Sequence, residues 1–328
     1  MLRTSVSLSL ISILIGFLAA EQSQLSGPIE GFTFDAPTGS FRAVIGLPGS
    51  ASLGPAILDG FGRGSVAPKK DYGLAFTGGK CAIVSGLSSA NPSVSEFSGA
   101  LASPDGVVWS ADGSQAFLFS SSGNWVQRFS GFPNIATPRA SVDLSFLSGS
   151  LSTIASDTLG KRLAIGVDGE LGGVYLVTDG GDPVPLLAGS KPIALAFSDD
   201  GSELYALDGA TLRLTQLHLA DFTSHPFSLD GLRDPVAIRS IRQASNRQVL
   251  YVAGRNDSLL RAYDADSRQI LTDFPLDFSP TGLDDLGRNS FLLAPRRSGG
   301  DPMWVFTTTP QQAAYFVPLA PTASGGPQ

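Results

Sequence analysis

The chain has 328 residues, carries a formal net charge of −7, and is 42% hydrophobic against 16% charged. Such a composition can bury a large core and excludes a disordered polymer, while the acidic balance argues against nucleic acid as a partner. The single cysteine, Cys81, excludes an intrachain disulfide.

The chain opens on a hydrophobic leader. Arg3 is the only charge in residues 1–20, an apolar run covers residues 6–18, and the small residues Ala19 and Ala20 follow. This is the pattern of a secretory signal peptide cleaved before Glu21. The run approaches spanning length, so an uncleaved anchor is the alternative. No later segment is long and apolar enough to span, so the mature chain is expected to have no membrane span and to be secreted or periplasmic. Residues 21–30 read as a linker, 31–320 as one domain and 321–328 as a disordered tail.

Turn chemistry dominates the chain beyond the leader. The sequence holds 38 Gly and 22 Pro, and Asp outnumbers Glu about five to one. Asp favours turns where Glu favours helices, so the protein is turn-dense and helix-poor. Residues 32–47, FTFDAPTGSFRAVIGL, form a first hairpin. Its turn at Asp35–Gly39 echoes the later turn Asp264–Arg268, so this segment reads as the outer half of a repeat.

From there one pattern recurs: an apolar strand, a turn with Asp, Gly or Asn, then a second alternating strand and a third. Copies span residues 65–87, 106–129 (turning at Asp112-Gly113), 152–177 (Gly160), 193–219 (Asp200-Gly201), 236–264 (near Asn246) and 283–306. Taking Tyr72, Ala116, Leu163, Leu204, Leu250 and Phe291 as equivalent, the step is about 41 to 47 residues, the period of four-stranded propeller blades. A sandwich has no reason to repeat at that interval. The expected fold is therefore all-β: a single β-propeller of six or seven four-stranded blades. Its ring is closed by the N-terminal hairpin together with C-terminal strands such as residues 313–319. The run Asp199-Asp-Gly-Ser-Glu-Leu-Tyr205 and the Asp35-Ala-Pro-Thr-Gly39 turn resemble the repeats of YVTN-type, lactonase-like and TolB-like bacterial propellers. The resemblance lies in structural turns, implies the fold, and brings no catalytic residue with it.

No chemistry-bearing motif stands out. His218 lies in an alternating strand and His225 precedes Pro226 in a loop, and two histidines are too few for a histidine-rich metal site. There is no Gly-x-Ser-x-Gly elbow; a triad assembled across blades is recognised only by geometry. Residues 73–81, GLAFTGGKC, superficially resemble a phosphate loop, but Leu74 takes the first glycine position and Cys81 replaces the Ser or Thr, so a hairpin is expected. Gly60 to Gly64 is a flexible approach to a strand. Asp168, Glu170, Asp179, Asp182, Asp199, Asp200 and Asp208 crowd the middle repeats and are read as turn formers, with calcium binding at the channel as the sharper alternative. Residues 213–297 carry eleven Arg against ten Asp, read as solvated faces or, more sharply, as a sector for anionic groups. Asn256-Asp-Ser258 matches a glycosylation acceptor.

The sequence thus points to no catalytic, cofactor-binding or metal residue and to no cofactor. It leads to a monomeric, exported, non-enzymatic binding or interaction scaffold with a protein or small-molecule partner. The alternative, by fold analogy alone, is a lactonase-like hydrolase or lyase with a carboxylate or metal site at the channel.

Overall fold

A computed structural model describes residues 27–320 apart from 171, 288, 295–297 and 310. The expected leader, most of the linker and the tail lie outside the described residues. The protein is a seven-bladed β-propeller. Blade 1 holds β1 (Ile29–Asp35), β2 (Ser40–Ile45) and β3 (Ser52–Leu58). Blade 2 holds β4 (Arg63–Val66), β5 (Gly73–Thr77), β6 (Lys80–Ser85) and β7 (Ser93–Glu96). Blade 3 holds β8 (Gly106–Trp109), β9 (Gln115–Ser120), β10 (Trp125–Ser130) and the short β11 (Thr137–Pro138) and β12 (Val142–Asp143), both on β10. Blade 4 holds β13 (Ser150–Ser156), β14 (Arg162–Asp168), β15 (Gly173–Thr178) and β16 (Val184–Ala188). Blade 5 holds β17 (Pro192–Phe197), β18 (Glu203–Asp208), β19 (Arg213–His218) and β20 (Ser224–Phe227). Blade 6 holds β21 (Pro235–Arg242), β22 (Gln248–Gly254), β23 (Leu259–Asp264) and β24 (Ile270–Pro275). Blade 7 holds β25 (Asp284–Asp285), β26 (Ser290–Ala294), β27 (Met303–Thr307) and β28 (Ala313–Val317). Each blade is an antiparallel meander.

The second strands explain why the repeats are so apolar. Side chains alternate across a strand, and here both faces are buried. In β18, Leu204 and Ala206 pack into a cluster shared with blade 4, while Tyr205 and Leu207 pack into one shared with blade 6. In β22, Leu250 and Val252 face blade 5, while Val249, Tyr251 and Ala253 face blade 7. The described core thus falls into clusters between successive blades. Two of them close the circle: Leu53 of blade 1 packs with Val305 of blade 7, and Phe41 of blade 1 with Val84 of blade 2.

The first-to-second-strand turns share one chemistry. Gly113, Gly160, Gly201 and Asn246 all have left-handed backbone, with φ of 77°, 70°, 69° and 64°. Each ends a turn whose N–H returns three residues, to Ser110, Asp157, Ser198 and Gln243 respectively. Gly and Asn tolerate that conformation at least cost. The Gly78-Gly79 pair, both at positive φ, links β5 to β6, so the phosphate-loop lookalike is a hairpin.

Ring closure differs in detail from the sequence expectation. Residues 32–47 are not the outer half of a blade: β1 and β2 are the inner strands of blade 1. The start of β1 lies by the β25–β26 turn, where Gly31 and Glu30 crowd Leu286 and Gly287. Its far end lies by the chain entering β4, where Phe61 N–H bonds Gly39 O at 3.1 Å. β1 therefore runs opposite to its neighbours β4 and β25. That reversed sense lets the four residues 59–62 join β3 to β4 without crossing the blade. The C-terminal chain then latches onto β3: Leu53 N–H bonds Pro318 O at 2.7 Å and Ala320 N–H bonds Leu53 O at 2.8 Å, a parallel bridge at Leu319. The next donor this parallel ladder would need from β3 is residue 55, and Pro55 has none.

Candidate functional site

The first strand of every blade bonds only to its second strand, so its other edge faces the axis. The central channel is consequently walled by strand edges whose backbone N–H and C=O groups have no partner strand, although neighbouring side chains take some of them, as Ser152 Oγ does Pro192 O. It encloses a cavity of about 550 Å³ whose polar side chains are mostly hydroxyls, among them Thr33, Ser65, Thr153, Ser156, Ser240 and Thr281.

Charge enters this wall chiefly at blades 6 and 7, with Asp199 at a turn of blade 5. Arg239 Nη2 meets Asp285 Oδ2 at 2.6 Å, and the guanidinium lies over the Phe291 ring at 5.9 Å. The pair is only half made. Asp285 Oδ1 and Arg239 Nε are buried without a hydrogen-bond partner among the described residues. Asp284, next in the strand, is exposed to the lumen on one side and crowded by protein on the others. That burial, with the Asp285 charge added, pushes its carboxyl above the usual carboxylate range, and Arg239 offsets only part. Crowding weakens hydration even though the lumen stays open, because the narrow shaft replaces bulk water with protein.

The acids singled out in the sequence are mostly engaged in turns and ion pairs. Asp112 and Asp200 occupy matching positions. Asp112 Oδ1 accepts from Ser110 Oγ at 2.6 Å and Ser114 N at 3.0 Å; Asp200 Oδ1 accepts from Ser198 Oγ at 2.8 Å and Ser202 N at 2.9 Å. Despite partial burial, these bonds and Arg242 at 2.5 Å hold the Asp200 carboxyl down at about 2. Asp208 accepts from Ala210 and Thr211 N–H, Asp168 pairs with Lys191, and Asp179 with Arg128. Asp179, Asp199 and Asp200 do share an outer groove of about 660 Å³, in company with Asp157, Lys161 and Arg162. Asp168 and Asp208 do not join them there. Among the described residues no group of three His, Cys, Asp or Glu is placed to hold a metal ion.

Most of the described arginines of the Arg-rich sector are likewise paired. Arg233, Arg239, Arg242, Arg247, Arg255 and Arg261 each meet an Asp, and Arg268 donates to Gln216 Oε1. Arg261 and Asp273 are held by two prongs, at 2.6 and 2.8 Å. His218 ends β19, and His225 sits within β20 rather than in a loop. Cys81 is buried, which pushes its thiol up to about 12 and leaves it unreactive. Asp257 of the glycosylation-like triplet is tied to Arg233.

Sequence reasoning missed Asp284, Asp285 and Arg239. The signal was present: the aligned first strands end in Val108-Trp109, Ala155-Ser156 and Ala196-Phe197, where the last blade has Asp284-Asp285. Blade 6 carries Arg239 at the place matching Asp284, since Arg239 pairs with Tyr251 as Asp284 pairs with Leu292, so the charges of these two neighbouring first strands mark where the wall departs from its packing role.

No protein-family model matches the chain, and no curated protein matches it. Solved structures do. A chain of a nidogen/laminin complex is 18% identical with a TM-score of 0.50, over 77% of this chain and 95% of that one. Dihydro-heme d1 dehydrogenase NirN, solved in complex with DHE, is 10% identical with a TM-score of 0.58, over 88% of this chain. This chain spans 63% of that enzyme's length. At such identities the likeness is one of fold alone, and the chain is a β-propeller. Among the described residues no helix is long and apolar enough to cross a membrane.

Proposed function

We propose that the chain is an exported, monomeric, non-enzymatic binding propeller that receives a small molecule in its central channel. The observation that carries this reading is the channel itself. A cavity of about 550 Å³ lies within the range of small-molecule sites, roughly 300–1,000 Å³. Its wall offers strand-edge amides and carbonyls, hydroxyls and a localised charge cluster, a set suited to orienting a guest. A hydrolase needs a nucleophile or activated water, a matched base and a stabiliser of developing charge, and the polar groups described in the channel do not form that constellation. Export is supported by the leader pattern of residues 1–20, and kinship with YVTN- and TolB-like propellers by the repeated Asp-Gly turns. Of the two similar structures named above, one is a chain of a protein complex and the other an enzyme, so turnover belongs in the test. Purified protein lacking residues 1–20 is screened by thermal shift against a compound panel and assayed for turnover of lactones, esters and glycosides, with and without calcium or zinc. Ligands that raise the melting temperature without being converted support the proposal; metal-dependent turnover lost on changing a channel Asp to Ala overturns it in favour of the hydrolase.

A further inference from the structure

Building on the channel as the ligand site, we infer that its ligand carries a primary ammonium group, seated on the Asp284 carboxylate. The blade 6–7 wall holds two carboxylates and one guanidinium. Asp285 takes the Arg239 charge, which leaves Asp284 facing the lumen with no cation or hydrogen-bond donor on it among the described residues. A second observation points the same way. The Asp285 side chain is only 9% exposed and lines the same cavity, yet its Oδ1 has no donor among the described residues. Arg239 Nε is likewise buried without an acceptor among the described residues, so the pair is imperfectly made on both sides, and the cluster of two carboxylates and one guanidinium is left with one negative charge in excess. The upward push on the Asp284 carboxyl by burial and Asp285 agrees with a carboxylate that its own protein leaves short of positive charge.

The shape of the demand selects among cations. An ammonium brings three donors and no acceptor. One carboxylate oxygen, with hydroxyl and strand-edge carbonyl oxygens of the wall, matches that number. A guanidinium is recognised best by a fork of two carboxylate oxygens, and the fork nearest to hand, Asp285, is already turned to Arg239. A divalent ion wants six or more oxygens with several carboxylates, whereas the described acids here supply two, one of them engaged.

Two sources can present an ammonium: a free small amine or a lysine side chain on a partner. Isothermal titration of the protein with butylammonium chloride probes the first, and a short lysine-containing peptide probes the second. 1-Butanol serves as the neutral control, and calcium chloride as the competing cation. Saturable binding of either amine, no binding of 1-butanol, and at least a ten-fold weakening in Asp284→Asn support the inference. Gly282→Trp is the second variant. Gly282 lines the same cavity, and an added Cβ there would lie in ordinary contact with Asp284 Oδ2, at 3.4 Å, so an indole is set against that carboxylate and must abolish binding too. Failure of both amines, equal affinity in Asp284→Asn, or binding of calcium alone overturns it. If a neutral or anionic panel compound binds and is lost in Gly282→Trp, the ammonium inference falls while the channel reading stands.

Discussion

Leu204 offers the sharpest test of the blade packing. It is fully buried in β18, between Phe197 of β17 and Leu217 of β19 in register, and packs with Ala164, Val174 and Leu176 of blade 4. Truncation to Ala removes three heavy atoms from a site whose walls are two hydrogen-bonded sheets, so the cavity cannot collapse by moving one side chain. Leu→Ala in such a core costs about 2–5 kcal/mol, the upper part applying where relaxation is blocked. We therefore expect about 3–4 kcal/mol for Leu204→Ala. At roughly 2–4 °C per kcal/mol for a large domain, its melting temperature should fall by roughly 6–16 °C. Leu204→Asp should be worse, because a buried carboxylate finds no partner there. Leu212→Ala, in the β18–β19 turn and 42% exposed, is the control and should stay within about 0.5 kcal/mol. Calorimetry of the variants measures all of this. A Leu204→Ala protein that melts with the wild type would refute the two-faced burial of the second strands.

Gly201→Ala should cost about 1–2 kcal/mol from left-handed strain, increased by collision of the new Cβ with the Arg162 guanidinium, and chemical denaturation reads it directly. Truncation after Val317 removes the two backbone bonds to Leu53. At about 0.5–1.5 kcal/mol each, it should lower stability by about 1–3 kcal/mol and raise amide exchange in β3 ahead of the other blades. Asp284→Asn should stabilise the protein at pH 7. A carboxyl raised in the folded state opposes folding as pH climbs above its unfolded value, about 3.9. The gain in melting temperature over wild type should therefore vanish as pH falls to about 4 and below. Asp200 has the opposite sign: its carboxyl, held down at about 2, lends stability above about pH 4 that is lost as pH falls toward 2. Wild type should therefore lose its advantage over Asp200→Ala across that interval.

The fold was legible because its decisive features are local. A left-handed turn residue, a serine two positions before an aspartate, and an apolar run of second-strand length are written in neighbouring residues, so Asp112-Gly113 and Asp200-Gly201 announced their hairpins. Blade 1 was misplaced for the complementary reason. The alternation in residues 32–47 specifies a hairpin but not its distance from the axis or its direction. Those are set by distant partners: Leu286 against Gly31, and Pro318 and Ala320 against Leu53. The acids of the middle repeats were legible as turn formers for the same local reason, whereas the channel cluster joins residues 46 positions apart, Arg239 and Asp285. Only the packing of blade 7 against blade 6 brings them together. His225 was read as a loop residue because the proline beside it suggests one. In the structure it lies on an outermost strand, paired on one side only, where a proline is tolerated.

If ligands enter the channel between the blades and are held there, blocking the lumen must block binding. The most direct measurement compares wild type with Gly282→Trp for those panel compounds that raise the wild-type melting temperature. The variant is predicted to fold with an unchanged circular dichroism spectrum, to keep its melting temperature without ligand, and to lose the ligand-induced shift. An undiminished shift in a folded Gly282→Trp protein would contradict channel binding and place the site on an outer face of the propeller.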